Sequence, residues 1–390
     1  MKIAILFDTY LNDRKGLFNA IMNRSRNLMG IPGVAVDMFC LQARPAGLNS
    51  LFQRYSKRKY IETFQEGDIT FRVIWYKRYL TDDALFNRLH RPPMIFRMWV
   101  KRHGDRLKDY DVITAHSARC GEMARLINKQ YGTPYFVTWH GTDIHTTPFQ
   151  SASLREYVTD ILQSATCNFF VSRALSEMAL KFAQGFRYEI LYNGVSDKFY
   201  RYDEIERKSL RQNYGVAESR VVAFAGNLIP VKNVELLPEI YQRVADKYSD
   251  TLSFWIIGDG NQRKMLESSM KKRGVNCTFW GNMPPSDMPQ MMNCVDVLVL
   301  PSRNESFGLV LVEAMACGAN AVGSNVGGIP EVIGKENTFE LGSDFVPQIS
   351  ERILYFLTNN IKQVVDKRFD WKETAKLEYR IYEQTCQDNG

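Results

Sequence analysis

Two acids eight positions apart, Glu305 and Glu313, stand where an apolar strand-like run gives way to a helical pattern. Between Phe307 and Ala316, Glu313 is the only charge, and a helix that is apolar all round is a buried one. A carboxylate left unpaired in such a place costs several kcal/mol, so Glu313 needs either a protein cation or a ligand presenting paired hydroxyls. The vicinal hydroxyls of a ribose fit a carboxylate at the end of a strand–helix unit. The run before it ends at Leu300, and in open parallel sheets ligands bind outside the carboxyl ends of strands, which puts the loop Pro301 to Ser306 where a site belongs. The backbone N–H groups of Phe307, Gly308 and Leu309 then open the helix and aim at a phosphate or sugar oxygen. Taken alone, Glu305 reads equally as a loop acid facing solvent.

Four further segments carry groups of the same kind. After the strand-like run Val221 to Ala225, Gly226-Asn227-Leu228-Ile229-Pro230-Val231-Lys232-Asn233 offers one lysine just before an amphipathic helix. Trp139-His140-Gly141-Thr142-Asp143 and Ala115-His116-Ser117 each place a histidine directly after a strand. The first strand leads into Asp8 to Gly16, with Arg14 and Lys15 beside the glycine.

These segments need a scaffold, and its periodicity is legible. Lys2 to Phe7, Val34 to Cys40, Asp111 to Ala115, Tyr135 to Trp139 and Cys167 to Val171 read as strands alternating with helices, the pattern of a parallel sheet. The pattern restarts after the polar segment Ser196 to Ser219, which reads as the linker, with Val221 to Ala225, Leu252 to Ile257, Cys277 to Trp280, Val295 to Leu300 and Asn320 to Val322. The expectation is an α/β protein of two Rossmann-like domains, residues 1–195 and 196–370, facing across a cleft. A helix over about 371–390 is expected to cross back to the first.

The spaced motifs resemble those of glycosyltransferase family 4 (group 1), the retaining family of GT-B fold. Glu305 and Glu313 match its Glu-x7-Glu signature. Gly327-Gly328-Ile329-Pro330-Glu331 matches its Gly-Gly-x-x-Glu turn, and Asn193-Gly194-Val195 with Phe199 matches the end of its first domain. Gly258-Asp259-Gly260, Gly281 and Asp296 fall in step, so the likeness runs from about residue 111 to 335. It implies that Glu313 holds the donor ribose, that Glu305 holds hydroxyls of the transferred sugar, and that the backbone from Ser306 and Phe307 through Gly308 to Leu309 touches the donor. The loop at Asn227 resembles the family's Gly-Arg-Leu-x-x-x-Lys-Gly, whose two cations grip the diphosphate. Lys232 matches the lysine, Asn227 replaces the arginine, Asn233 replaces the glycine, and Arg303 is a candidate substitute cation. His140 resembles the histidine that touches the donor sugar near the reacting carbon, which makes His140, Glu305 and Lys232 the catalytic candidates. Gly16, His116 and Asp143 are assigned to the acceptor side. No metal and no cofactor is implied, the nucleotide-diphosphate sugar being a substrate.

At 390 residues with 45% hydrophobic and 24% charged residues, the chain has the composition of a globular protein. No run of about 18 apolar residues spans a bilayer, and seven scattered cysteines without a Cys-x-x-Cys pair read as reduced thiols, so a cytoplasmic location is expected, at the inner face of the membrane. The net charge of +7 comes from residues 50–108, where fourteen Lys and Arg face six acids among bulky aromatics. That stretch is either a solvated face or a contact for an anionic membrane or a lipid-linked acceptor; no nucleic-acid module is present. A nicotinamide dehydrogenase is disfavoured because no Gly-x-Gly-x-x-Gly follows Phe7 or Ala225. The reading is a retaining glycosyltransferase acting on a glycan or lipid-linked acceptor in cell-surface polysaccharide synthesis. Its alternatives are a nucleotide-sugar epimerase of the same fold, or a catalytically silent sugar- or lipid-binding adaptor.

Overall fold

The computed structural model describes residues 1–9, 16–45, 62–79, 95–359 and 361–388. Arg14 and Lys15, and Arg54, Lys57, Arg58 and Lys59 of the basic stretch, lie outside them. The chain divides into two compact units, Met1–Tyr192 with Trp371–Gly390, and Asn193–Asp370.

The first unit is built on eight strands: β1 Lys2–Phe7, β2 Ala35–Pro45, β3 Thr63–Glu66, β4 Ile69–Arg78, β5 Val112–His116, β6 Tyr135–Trp139, β7 Cys167–Phe170 and β8 Tyr188–Ile190. Their order is β3-β4-β2-β1-β5-β6-β7-β8, parallel except for the β3–β4 hairpin. From β1 the chain goes outward to β2 and then returns to place β5 on the other side, so the switch point lies between β1 and β5. Strands β1, β5, β6 and β7 are buried almost throughout, as helices on both faces require. The hairpin was not anticipated, because its interleaving of charge and bulk reads as a basic patch. In β4 that interleaving is a strand covered on both faces, Phe71 buried on one and Ile74 and Tyr76 on the other, while Arg72 and Lys77 stay exposed.

One sheet face is covered by the helix Gly16–Met29 and the C-terminal helix Trp371–Asp388, whose Ala375, Ile381 and Tyr382 enter the same core as Ile5, Phe7 and Phe169. The two helices are joined by a buried ion pair, Arg24 Nε to Glu378 Oε2 at 2.5 Å, and the Tyr382 hydroxyl donates to the other Glu378 oxygen.

The second unit has six parallel strands: β9 Arg220–Ala225, β10 Leu252–Ile257, β11 Cys277–Gly281, β12 Val297–Leu300, β13 Asn320–Ser324 and β14 Thr338–Phe339. They run in the order β11-β10-β9-β12-β13-β14, with the switch point between β9 and β12. The segment 196–219, read as a linker, is an integral part of this unit. It carries the helix Glu204–Asn213, whose Arg207 and Arg211 reach Asp296 at 3.3 and 3.2 Å. Asp296 also accepts from the Val221 amide at 2.9 Å, so this acid, in step with the family motif, ties the helix to the start of the sheet. No helix among the described residues is long and apolar enough to cross a membrane.

Candidate functional site

In the second unit the loops that leave β9 and β12, either side of the switch point, are stitched together. The Arg303 amide donates to the Val231 carbonyl at 2.8 Å, and Lys232 forms an ion pair with Glu305. Lys232 and Glu305, 73 residues apart, are each largely buried, with about a fifth of their side-chain surface exposed. Arg303 is more exposed; its Nε donates to Asn233 Oδ1 at 2.9 Å and its Nη2 meets the Glu235 carboxylate. Each candidate cation is thus charge-balanced by an acid of the opposite loop, Lys232 by Glu305 and Arg303 by Glu235. Asn227 is exposed at the head of the β9 loop. Asn233, which departs from the family's glycine, has φ of 55° in the left-handed region that asparagine tolerates better than most residues, so the turn survives the replacement. Its amide also supplies the acceptor for Arg303, which a glycine could not.

Glycines set the closeness of these loops. A Cβ on Gly327 would overlap the Glu305 carbonyl oxygen, and one on Gly328 would overlap that of Ser306. The Gly328 amide donates to the Glu305 carbonyl at 2.9 Å, so the glycine pair fixes the height of the acid. Gly258 and Gly260 press in the same way on Gly226 and Leu228, supporting the β9 loop from behind.

Gly308, with φ of 92°, turns the chain into the helix Leu309–Ala316. The amides of Leu309 and Val310, in its first turn, have no acceptor within the helix. Phe307 is buried edge-on against Phe369, ring centroids 5.5 Å apart, so only its backbone is available to a ligand; Ser306 is half-buried beside it. Glu313 is half-buried one helical turn further on, with no protein cation or hydrogen-bond donor recorded for it among the described residues. Burial alone pushes its carboxyl up to about 8 from 4.5. Of the two partners that the sequence left open for Glu313, the described residues do not supply the cation.

In the first unit the ends of β1, β5 and β6 converge. His116, the last residue of β5, and His140, just after β6, meet with Nδ1 and Nε2 2.9 Å apart and rings stacked at 5.2 Å. Burial and then Arg24 push the His140 imidazole down to about 3, and burial, His140 and Arg24 push His116 well below its usual 6.5. Both rings are therefore neutral at pH 7, and one must donate to the other. Asp143 accepts from the Ala118 amide at 3.1 Å and is pushed up to about 6 by burial and the neighbouring Asp8. Ser117, with φ of 134°, holds the turn between β5 and the helix Ala118–Tyr131, a backbone strain of the kind kept at functional sites.

Gly16 opens the helix Gly16–Met29, and a Cβ there would touch nothing, so packing does not demand the glycine. Two members of this cluster, Asp8 and Arg119, escaped the sequence reading. Asp8, just past β1, has its carboxyl raised by burial against the pull of Arg119 and a hydrogen bond with Ser117. Asp8 directly follows β1, as His116 ends β5, and that position at the switch point was the available signal.

Two doubly wound α/β units, each with a polar cluster at its switch point, define a protein of the two-domain GT-B class of fold. Residues 206–378 match the family described as glycosyl transferases group 1, and residues 30–194 match the glycosyl transferase 4-like domain. The chain belongs to this family of glycosyltransferases. TuaC of Bacillus subtilis, a glycosyltransferase assigned to teichuronic acid biosynthesis, is 24% identical over 284 residues, 70% of either chain. The D-inositol 3-phosphate glycosyltransferase of Jonesia denitrificans is 30% identical over 204 residues, 47% of either chain. Among solved structures, HepE of Anabaena, in complex with UDP and glucose, superposes with a TM-score of 0.69 at 18% identity, covering 100% of this chain and 99% of HepE. Sucrose-phosphate synthase of Thermosynechococcus elongatus reaches 0.74 at 18% identity over 98% of both chains. At that identity these likenesses establish the GT-B fold.

Proposed function

We propose that the protein moves a sugar from a nucleoside-diphosphate donor, with retention of configuration, to a hydroxyl of a glycan or lipid-linked acceptor in cell-surface polysaccharide assembly. The observation that carries this is Glu313, a half-buried carboxylate with no cation beside it among the described residues, on the helix that follows the loop in which Glu305 meets Lys232. Ribose hydroxyls donating to Glu313 supply the partner it lacks. Glu305 holds hydroxyls of the transferred sugar. The Lys232 ammonium and the amides from Phe307 to Leu309 bear the negative charge that grows on the departing diphosphate, with Asn227 adding a neutral donor. The donor is a substrate, and no separate cofactor is required by this scheme. HepE, solved with UDP and glucose, lends support to a sugar nucleotide as that substrate.

The acceptor hydroxyl attacks the anomeric carbon from the face on which the diphosphate leaves. The C–O bond to phosphate breaks as the new C–O bond forms, and the departing phosphate oxygen takes the hydroxyl proton, so no separate base is needed. Neutral His140, held by His116, hydrogen-bonds a sugar hydroxyl. Asp143, His116 and Gly16 contribute to the acceptor side. Exposed Arg97, Met98, Lys101 and Arg102 on the helix Ile95–His103 support peripheral contact with an anionic membrane, and with it a location at the inner face.

The test is a panel of sugar nucleotides screened by thermal shift, because a ligand that binds only the folded chain raises its melting temperature. One donor is expected to stabilise the native protein and to lose that effect with Glu313→Ala. Transfer from that donor to a glycan acceptor, with the product anomer read by NMR, tests the chemistry. No stabilisation by any sugar nucleotide refutes the proposal.

A further inference from the structure

The first unit holds a cavity of about 570 Å³ that the scheme above does not use. It lies toward the β3–β4 end of the sheet, beside the helix Ile95–His103 and the turn Gly104–Leu107. Its volume is in the range of small-molecule sites, roughly 300–1,000 Å³. The groups around it include the Trp99 indole, whose ring lies 5.4 Å from the His103 imidazole, two guanidiniums, Arg72 and Arg106, and the Glu62 carboxylate; Trp75 borders it through β4, but strand alternation turns its side chain to the face opposite Arg72.

We infer that this cavity binds a sugar residue carrying an acidic group, a carboxylate or a phosphate. Each part of the lining answers one part of such a ligand. The Trp99 indole offers flat apolar surface to the C–H face of a pyranose ring. The guanidiniums match a carboxylate or phosphate in a bidentate fork. Arg72 is only loosely engaged, 3.9 Å from Asp37, whose other oxygen accepts from the Tyr110 hydroxyl at 2.7 Å. Arg106 is exposed, with no acid recorded against it among the described residues. Glu62, also without a recorded cation, accepts from ring hydroxyls. A bare inorganic anion would use the cations and leave the Trp99 indole and Glu62 idle. A bilayer presents a surface rather than an object that fills a concave space.

β4 and β5 are separated in the sheet by β2 and β1, three strand spacings or about 14 Å. On the reading that the protein extends a glycan, and resting on it, the bound residue is an acidic sugar of the acceptor, remote from the hydroxyl that reacts near His140. Binding itself needs neither donor nor transfer.

The experiment uses the full chain without donor, and saturation-transfer NMR with calorimetry. The probes are a glucuronic-acid-containing tetrasaccharide, the same compound after reduction of its carboxyls, and glucose 6-phosphate. The acidic tetrasaccharide is expected to bind at least about tenfold more tightly than its reduced form, the worth of one charge-assisted contact. Trp99→Ala and Arg106→Ala are each expected to weaken it by about tenfold, and Arg106→Glu, a charge reversal at an exposed position, to abolish it. Equal binding of the acidic and reduced forms, no binding of any probe, or full binding by the three folded variants overturns the inference. Binding of glucose 6-phosphate without the tetrasaccharide supports the acidic-sugar site and overturns its place on a glycan acceptor. The donor thermal shift and its loss in Glu313→Ala are read separately, so failure of the transferase reading leaves this result intact.

Discussion

Glu313 makes a quantitative prediction about protons. With its carboxyl at about 8 in the folded protein, about 0.9 of the molecules carry a proton there at pH 7. If ribose hydroxyls donate to the carboxylate, donor binding must expel that proton. A sugar nucleotide is suited to the measurement, because neither of its phosphates titrates near neutral pH. Calorimetry at pH 7 in buffers of different ionisation enthalpy should therefore report release of close to one proton per donor bound. The affinity should rise about fiftyfold from pH 6 to pH 8 and level off above, since only the ionised fraction binds. Glu313→Gln removes both effects. The same shift affects folding with a definite sign. An acid raised in the folded state exacts no penalty below the unfolded value of 4.5, and the penalty grows as pH rises through the folded value of about 8. At about 1.4 kcal/mol per unit, the ceiling at pH 7 is about 3 kcal/mol. Glu313→Gln should thus gain stability toward denaturant at pH 7 to 8 and none at pH 4.5. Donor binding without proton release, or equal release by the glutamine variant, would refute the assignment of the ribose to this acid.

Other outcomes follow from the same geometry. Lys232→Met should leave Glu305 unpaired, lower stability by about 1–3 kcal/mol in chemical denaturation and weaken donor binding in calorimetry. Gly327→Ala forces a Cβ onto the Glu305 carbonyl at a φ of 52°, so circular-dichroism melting should show a loss of about 1–3 kcal/mol along with loss of donor binding. Breaking the buried pair with Arg24→Met should cost about 3–5 kcal/mol, measured by urea unfolding, because it leaves the buried Glu378 without its cation. In an NMR titration His140 should stay neutral down to about pH 3, and a His140 ring titrating near 6.5 would contradict its burial. Neutralising Arg97, Lys101 and Arg102 together should remove about 3 kcal/mol of attraction to anionic vesicles, seen by co-sedimentation; unchanged binding would leave that face merely solvated.

The order of strands and helices, the two-unit architecture and the position of the acids after Leu300 were legible in the chain, because each depends on local periodicity and on residues close in sequence. The lone charge of Glu313 in an apolar helix and the glycine pair at Gly327 and Gly328 were legible for the same reason. What the chain alone did not disclose lies in contacts between distant segments. Nothing local pairs Lys232 with Glu305 across 73 residues, or brings His116 to His140 and Asp8 to Arg119. The β3–β4 hairpin hid inside a basic stretch because its interleaving of charge and bulk marks a strand only once a core exists to receive Phe71 and Ile74. The departure at Asn233 changed meaning once its left-handed backbone was known. Tertiary packing also decided which candidate acid would lack a protein cation: Glu305 received Lys232, while the burial of Glu313 beside none depends on what the folded chain sets around it.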